Sequence, residues 1–112
     1  EEDIEKIGLF FIGISKVDKD LAKKILEKID VDDLREKVKR EEDIGKIGSF
    51  FNGISKVDND LAKKILEKID VDDLREKVKR EEDIGKIRWF FDGISNVDND
   101  LAKKLEKELG VN

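Results

Sequence analysis

Apolar residues between positions 3 and 17 recur with the period of an α-helix. Plotted at about 100° per residue, six of them fall within an arc of about 140°. The acidic residues at positions 1 to 3 suit the N-terminal end of a helix, because the helix dipole is positive there. The pattern therefore predicts an amphipathic helix, termed helix A, which ends at the Val-Asp-Lys-Asp sequence of positions 17 to 20. Its apolar residues are Ile4, Ile7, Phe10, Phe11, Ile14 and Val17.

A second, shorter helix is predicted over positions 21–29. Either Asp20 or Asp18 can cap its N-terminus, since an aspartate side chain accepts hydrogen bonds from the first free backbone N–H groups. Five apolar residues on one side give this helix, termed helix B, a surface that it can bury. They are Leu21, Ala22, Ile25, Leu26 and Ile29.

A third helix, termed helix C, is predicted over positions 34–40, with Asp32 as its N-cap. Its apolar content is limited to Leu34 and Val38. The spacing of apolar residues slips between Val38 and Ile44, which indicates a break near positions 39–42. A single bent helix that joins helix C to the next helix A is the alternative.

The whole pattern then repeats. Residues 1–40 and 41–80 are identical at 36 of 40 positions, and a third copy begins at Glu81. A fixed period of this length indicates stacked repeats, because one unit cannot bury its apolar surface without a neighbour. Such close identity indicates either a very recent duplication or a consensus sequence built by a designer, and we favour an engineered origin.

Three helices in about forty residues, stacked in tandem, resemble the armadillo, HEAT and tetratricopeptide class of α-solenoids. The unit length is nearest to that of armadillo repeats. The resemblance implies a right-handed superhelix that binds proteins or peptides. The predicted fold is therefore an all-α, right-handed α-solenoid with helices in the order A-B-C-A-B-C-A-B. Residues 1–112 form one domain with repeats at 1–40, 41–80 and 81–112.

The third copy differs from the others in a way that predicts a C-terminal cap. It lacks helix C, and its helix B carries Glu106 at the position of Leu66. This change removes apolar surface from one edge, as a terminal helix without a following neighbour requires. Gly110 is the predicted C-cap of that helix.

Positions that change between the copies form one stripe on helix A, and we expect this stripe to face away from the core. It predicts a surface for binding a protein or peptide, or for self-association, and homodimerisation through Leu9 and Ile12 is one form of that hypothesis. The alternative is that the variable residues pack against the ends of the stack. The candidate residues are Leu9, Ile12, Ser49, Asn52, Arg88, Trp89 and Asp92.

Glycine recurs inside helix A, at Gly13, Gly53 and Gly93 in every copy and at Gly8 and Gly48 in two. Each glycine costs about 1 kcal/mol against alanine in a helix, so a compensating contact is expected. Close approach of two helices is the favoured explanation, and contact with a ligand is the alternative.

Composition narrows the possible functions. The chain has 24 Lys and Arg against 29 Asp and Glu, a net charge of −5, and its basic residues are interleaved with acidic ones, which argues against nucleic-acid binding. It contains no His, Cys, Met, Tyr or Pro, so disulfides, thiol chemistry and His/Cys metal sites are absent. Paired aspartates such as Asp58 and Asp60 do not match a calcium loop and are explained by helix capping.

The most apolar run, at 7–14, is far too short to span a membrane, and no signal peptide or anchor is visible. We therefore expect a soluble protein compatible with cytoplasmic expression, without a cofactor and without enzymatic activity. The hypothesis drawn from the sequence is a helical-repeat scaffold. The alternative is a protein- or peptide-binding module that uses the variable face of helix A.

Overall fold

A computed structural model describes residues 3–110 of the chain, and in that range it contains eight α-helices and no β-strand. The prediction of an all-α protein is confirmed. Asp3 caps the first helix, whereas the contribution expected from residues 1 and 2 lies outside the described range. The helices are α1 (Ile4–Val17), α2 (Lys19–Glu27), α3 (Val31–Arg40), α4 (Ile44–Val57), α5 (Asn59–Glu67), α6 (Val71–Arg80), α7 (Ile84–Val97) and α8 (Asn99–Leu109).

Aspartates cap the helix N-termini. Asp18 caps α2, which decides between the two residues considered from the sequence. The prediction that Asp32 caps the third helix is wrong, because α3 begins at Val31 and Asp30 is its cap. The Asp30 carboxylate accepts hydrogen bonds from the backbone N–H groups of Asp32 at 2.9 Å and Asp33 at 3.4 Å. Asp32 therefore lies inside the first turn, where it suits the helix dipole.

The predicted break between the third and fourth helices is confirmed. Helix α3 ends at Arg40 and α4 begins at Ile44, so the alternative of one bent helix is wrong. Asp43 caps α4, and its side chain accepts a hydrogen bond from the N–H of Gly45 at 2.9 Å. At the other end of the described range Gly110 has φ 70° and caps α8, as predicted. Glycine suits this left-handed conformation because it has no Cβ.

Helix α4 lies between α1 and α7 and contacts both of them extensively. Each of these three helices also packs against the helix that follows it in the chain, namely α2, α5 and α8. Helices α3 and α6 complete the arrangement through contacts with α5 and α8. The core is built from the apolar sides of all eight helices, and its large side chains include Phe11, Phe50, Phe51 and Phe90.

Glycine allows the central helices to approach to backbone contact. A Cβ atom added to Gly8 would lie 2.5 Å from the carbonyl oxygen of Ser49, and one added to Gly53 would lie 2.8 Å from Gly8 Cα. The contact between α4 and α7 has the same form, since a Cβ on Gly93 would lie 2.8 Å from Gly48 Cα. Real Cβ atoms do not tolerate such distances, so close helix approach explains these glycines. At Gly13 the expectation is wrong, because nothing lies within 4 Å of its added Cβ.

Candidate interaction surfaces

The seven variable residues selected from the sequence do not form one uniform surface. On α1, Leu9 is 53% exposed and Ile12 is partly buried one turn later. On α7, Trp89 is half exposed, and Arg88 and Asp92 are exposed. On α4, Asn52 is partly buried and Ser49 is 3% exposed.

The expectation that the variable stripe faces solvent is therefore wrong at Ser49. Two contacts explain its burial. The indole N–H of Trp89 donates a hydrogen bond to the Ser49 hydroxyl, and the Ser49 carbonyl lies against Gly8 of α1. Close approach of α1 and α7 from opposite sides thus covers this position, which a helical wheel of α4 alone places on its polar side.

Contacts across the α4–α7 boundary join variable positions of neighbouring copies. Besides the bond from Trp89 to Ser49, the side-chain amide of Asn96 donates a hydrogen bond to the side-chain oxygen of Asn52 at 2.6 Å. The stripe is therefore continuous from α4 to α7. Arg88 and Asp92 also border an open cleft of about 400 Å³ on α7 and α8. That cleft is lined by Ile84, Ile87, Arg88, Phe91, Asp92, Glu106 and Gly110.

A second apolar surface lies on α1 and α2, and sequence reasoning did not identify it. Phe10 is 48% exposed, Val17 is 87% exposed and Leu21 is 46% exposed. The helical wheel assigned these residues to the core because their spacing is that of core residues in every copy. The identical residue Phe50 is fully buried in α4. Because the copies have the same residues at these positions, the sequence does not show which copy has this face exposed.

Two ion pairs connect the N-terminal ends of the central helices. The Lys46 amine on α4 lies 3.0 Å from the carboxylate of Asp3, the N-cap of α1, and the Lys86 amine on α7 lies 3.2 Å from that of Asp43. The hydrogen bond from Lys46, with a smaller contribution from the backbone N–H of Glu5, lowers the pKa of Asp3. The same carboxylate raises the pKa of Lys46, and Asp43 raises the pKa of Lys86. Each pair therefore joins equivalent residues of successive copies.

Lys77 is a buried charged residue that the sequence did not single out. Its side chain is 1% exposed and its amine lies 3.1 Å from the Asp73 carboxylate. The amine also donates a hydrogen bond to the backbone carbonyl of Lys39, near the C-terminal end of α3, at 2.9 Å. A cation at a helix C-terminus interacts favourably with the helix dipole. Lys37 has the same sequence context in the first copy and is only partly buried, so the local sequence does not determine this burial.

Among residues 3–110, no group of three or more Asp or Glu side chains is placed to hold a metal ion. Within the same range, no helix has the length and apolar character needed to cross a membrane. Comparison with protein-family models, with curated proteins and with solved structures finds no match to this chain.

Proposed function

We propose that this protein is an engineered helical-repeat scaffold without catalytic activity. In this proposal its tandem three-helix units of forty residues stack as a right-handed α-solenoid. The observation that carries the proposal is the equivalence of the two contacts made by α4. Gly53 packs on Gly8 of α1, and Gly93 of α7 packs on Gly48 of α4, with the same close backbone approach. Equivalent contacts between successive units are what a one-dimensional stack requires.

The ion pairs support the same arrangement. Lys46 binds Asp3 and Lys86 binds Asp43, so both pairs join equivalent residues of successive copies. The sequence identity of residues 1–40 and 41–80 explains why one set of contacts serves twice. Engineered origin is supported by that identity, which natural repeats lose as they diverge.

Insertion of an additional copy of residues 41–80 after Arg80 tests this proposal. Small-angle X-ray scattering should show a particle that lengthens along one direction by about 8–10 Å, the usual distance between packed helices. Its cross-section should remain unchanged, and its free energy of unfolding should rise because one more interface is formed. A matched control insert carries leucine at the position of Gly53, where a side chain prevents the contact. An insert that increases neither the length nor the stability contradicts the proposal.

A second candidate function is that of a protein- or peptide-binding module. The observation that favours it is the continuity of the variable stripe, because Trp89 contacts Ser49 and Asn96 contacts Asn52 across the α4–α7 boundary. Leu9 and Ile12 extend the variable positions to α1 with apolar side chains. In this proposal the partner is a protein, a peptide or a second copy of the chain.

Sedimentation equilibrium over a hundredfold concentration range tests the self-association form of this function. The comparison variant combines Leu9→Ser with Ile12→Asn, which copies the residues of the second repeat. If the parent associates and the variant does not, Leu9 and Ile12 form an interface. If both remain monomeric, self-association through these two residues is excluded.

A further inference from the structure

Within residues 3–110, one face of α1 is left open, whereas the equivalent faces of α4 and α7 are covered. This face, termed the α1 face, comprises Phe10, Gly13, Ile14 and Val17. The equivalent residues of α4 and α7 are all buried. They are Phe50, Gly53, Ile54 and Val57 in α4, and Phe90, Gly93, Ile94 and Val97 in α7.

The two covered faces show what kind of helix can pack on the open face. In each case the corresponding helix of the copy before lies against the glycine of the covered face. Gly53 of α4 meets Gly8 of α1, and Gly93 of α7 meets Gly48 of α4. The helix that covers the face must also have glycine at the contact, as α1 has at Gly8 and α4 at Gly48. A Cβ on Gly8 would lie 2.8 Å from Phe50 Cα, and one on Gly48 would lie 2.6 Å from Phe90 Cα. Because these are backbone atoms within helices, no side-chain movement relieves the conflict.

Helix α7 has Arg88 at this point instead of glycine. If α7 packed on the α1 face of a second chain as α4 packs on α7, the Arg88 Cβ would meet the backbone near Leu9 and Phe10 of that chain. Trp89 is not the obstacle, since Leu9 occupies the equivalent position beside α4 and remains 53% exposed. Glu106 adds a second mismatch, because the equivalent Leu26 and Leu66 are buried.

We propose that the α1 face is a docking surface for a helix of a second chain that has the α4 sequence pattern, with glycine at the position of Gly48. Arg88 prevents the chain's own α7 from being that helix and so blocks end-to-end association. Charge supports the fit. Lys46 of α4 binds the N-cap aspartate of α1, and Lys86 of α7 binds that of α4. By the same relation, Lys6 of α1 is placed to bind Asp83, the N-cap aspartate of α7, in a docked chain.

The probe is a donor variant of the same protein that combines Gly13→Leu, Arg88→Gly and Glu106→Leu. Arg88→Gly and Glu106→Leu copy the residues that α4 and α5 have at these positions, Gly48 and Leu66. Gly13→Leu places a side chain on the donor's own α1 face and so prevents a helix from docking there. Gly13 tolerates this substitution, because its added Cβ has no neighbour within 4 Å. In sedimentation equilibrium, an equimolar mixture of donor and unmodified protein should move from 12.9 kDa towards twice that mass. Each protein alone should stay at 12.9 kDa.

The matched control donor has Arg88→Ala in place of Arg88→Gly. It removes the charge but retains the Cβ atom, so it should not bind. A variant with Arg88→Gly and Glu106→Leu but with Gly13 intact has both ends open, and its mass should rise continuously with concentration. Gly13→Leu combined with Arg88→Gly provides a second donor if the triple variant does not reach the helix content of the parent by circular dichroism.

Three results would overturn the proposal: equal binding by the alanine and glycine donors, no complex with any folded donor, or dimerisation of the unmodified protein that Gly13→Leu abolishes. The last result would show that a second copy covers the α1 face head to head. This inference rests on the stacked arrangement proposed above. The experiments distinguish the two proposals. If the chain lengthens on insertion of residues 41–80 but binds no donor, the docking surface is contradicted and the stacked arrangement is not.

Discussion

Helices α1 and α4 have the same residues at their core positions, but their surroundings differ. Phe50 and Val57 of α4 are 0% and 4% exposed, whereas the equivalent Phe10 and Val17 of α1 are 48% and 87% exposed. Both sequences predict the same amphipathic helix, and both form it. The difference arises because α4 has a neighbour on each side, while α1 has one on only one side within the described residues. Burial is therefore decided by the neighbouring helices and not by the local sequence.

Helix α7 gives the reciprocal comparison. Its Phe90, Ile94 and Val97 are buried against α4, but Ile84 is 66% exposed where the equivalent Ile44 is fully buried. The two end helices thus expose opposite sides of the same apolar pattern. The α1 face consists of apolar residues and glycine, whereas α7 presents Arg88 on its open side.

The largest expected difference between the two helices is in the phenylalanine pair. Phe50→Ala should lower the free energy of unfolding by about 3–5 kcal/mol, because it leaves a cavity in the core. Phe10→Ala should lower it by only about 1 kcal/mol, since half of that side chain is already in water. Urea unfolding followed by circular dichroism measures both. Equal losses would indicate that the α1 face is covered in solution.

The next largest effect is expected at the helix contacts. Gly53→Ala should destabilise the protein by about 1–3 kcal/mol, because the added Cβ presses on the backbone of Gly8 and the helices must separate. Gly93→Ala should behave in the same way against Gly48. The same unfolding measurement applies, and a stabilising result at either position would contradict the close packing of these helices.

Gly13→Ala should have a smaller effect of opposite sign. No atom lies within 4 Å of the added Cβ, so alanine contributes its higher helix propensity without a clash. We expect the free energy of unfolding to rise by about 0.5–1 kcal/mol. Thermal unfolding at several protein concentrations separates this local gain from any change in association. A loss of stability would show that Gly13 contacts another helix in solution.

The smallest effect is expected from the ion pair that joins α1 to α4. The pKa of Asp3 is below its usual 3.8 in the folded protein, so the pair stabilises the fold above about pH 4. This contribution is lost as the pH falls through the lower, folded pKa. The pKa of Lys46 is raised above its usual 10.5, so the contribution is also lost as the pH rises through this higher, folded pKa.

Urea unfolding of the parent and of Asp3→Asn at pH 3, 7 and 11 checks this dependence. The stability difference between the two proteins should be largest at pH 7. Lys46→Gln is the control, since it removes the partner and should give the same pH profile as Asp3→Asn. A difference that is lost at pH 3 but persists at pH 11 would show that the carboxylate acts mainly as a helix cap, through the N–H of Glu5, and not through Lys46.

Much of the local structure could be predicted from the sequence. Helical periodicity indicated the apolar sides of the helices, the break before Ile44 and the C-cap at Gly110. These features depend on interactions within a few residues, so a single chain segment contains the necessary information. The third helix was predicted three residues late because Asp30, Asp32 and Asp33 are chemically similar candidates for its cap. Only the hydrogen bonds to the Asp30 side chain distinguish them.

The candidate surface was harder to predict for a physical reason. The copies are nearly identical, so the sequence by itself determined eight amphipathic segments of three kinds and a set of variable positions, without indicating which of their faces are covered. Only the tertiary structure decided that Ser49 is buried by contacts from α1 and α7, that Lys77 is buried and binds the end of α3, and that Phe10 and Val17 are exposed. Burial depends on which helices are neighbours in space, and identical segments acquire different neighbours only when the chain folds.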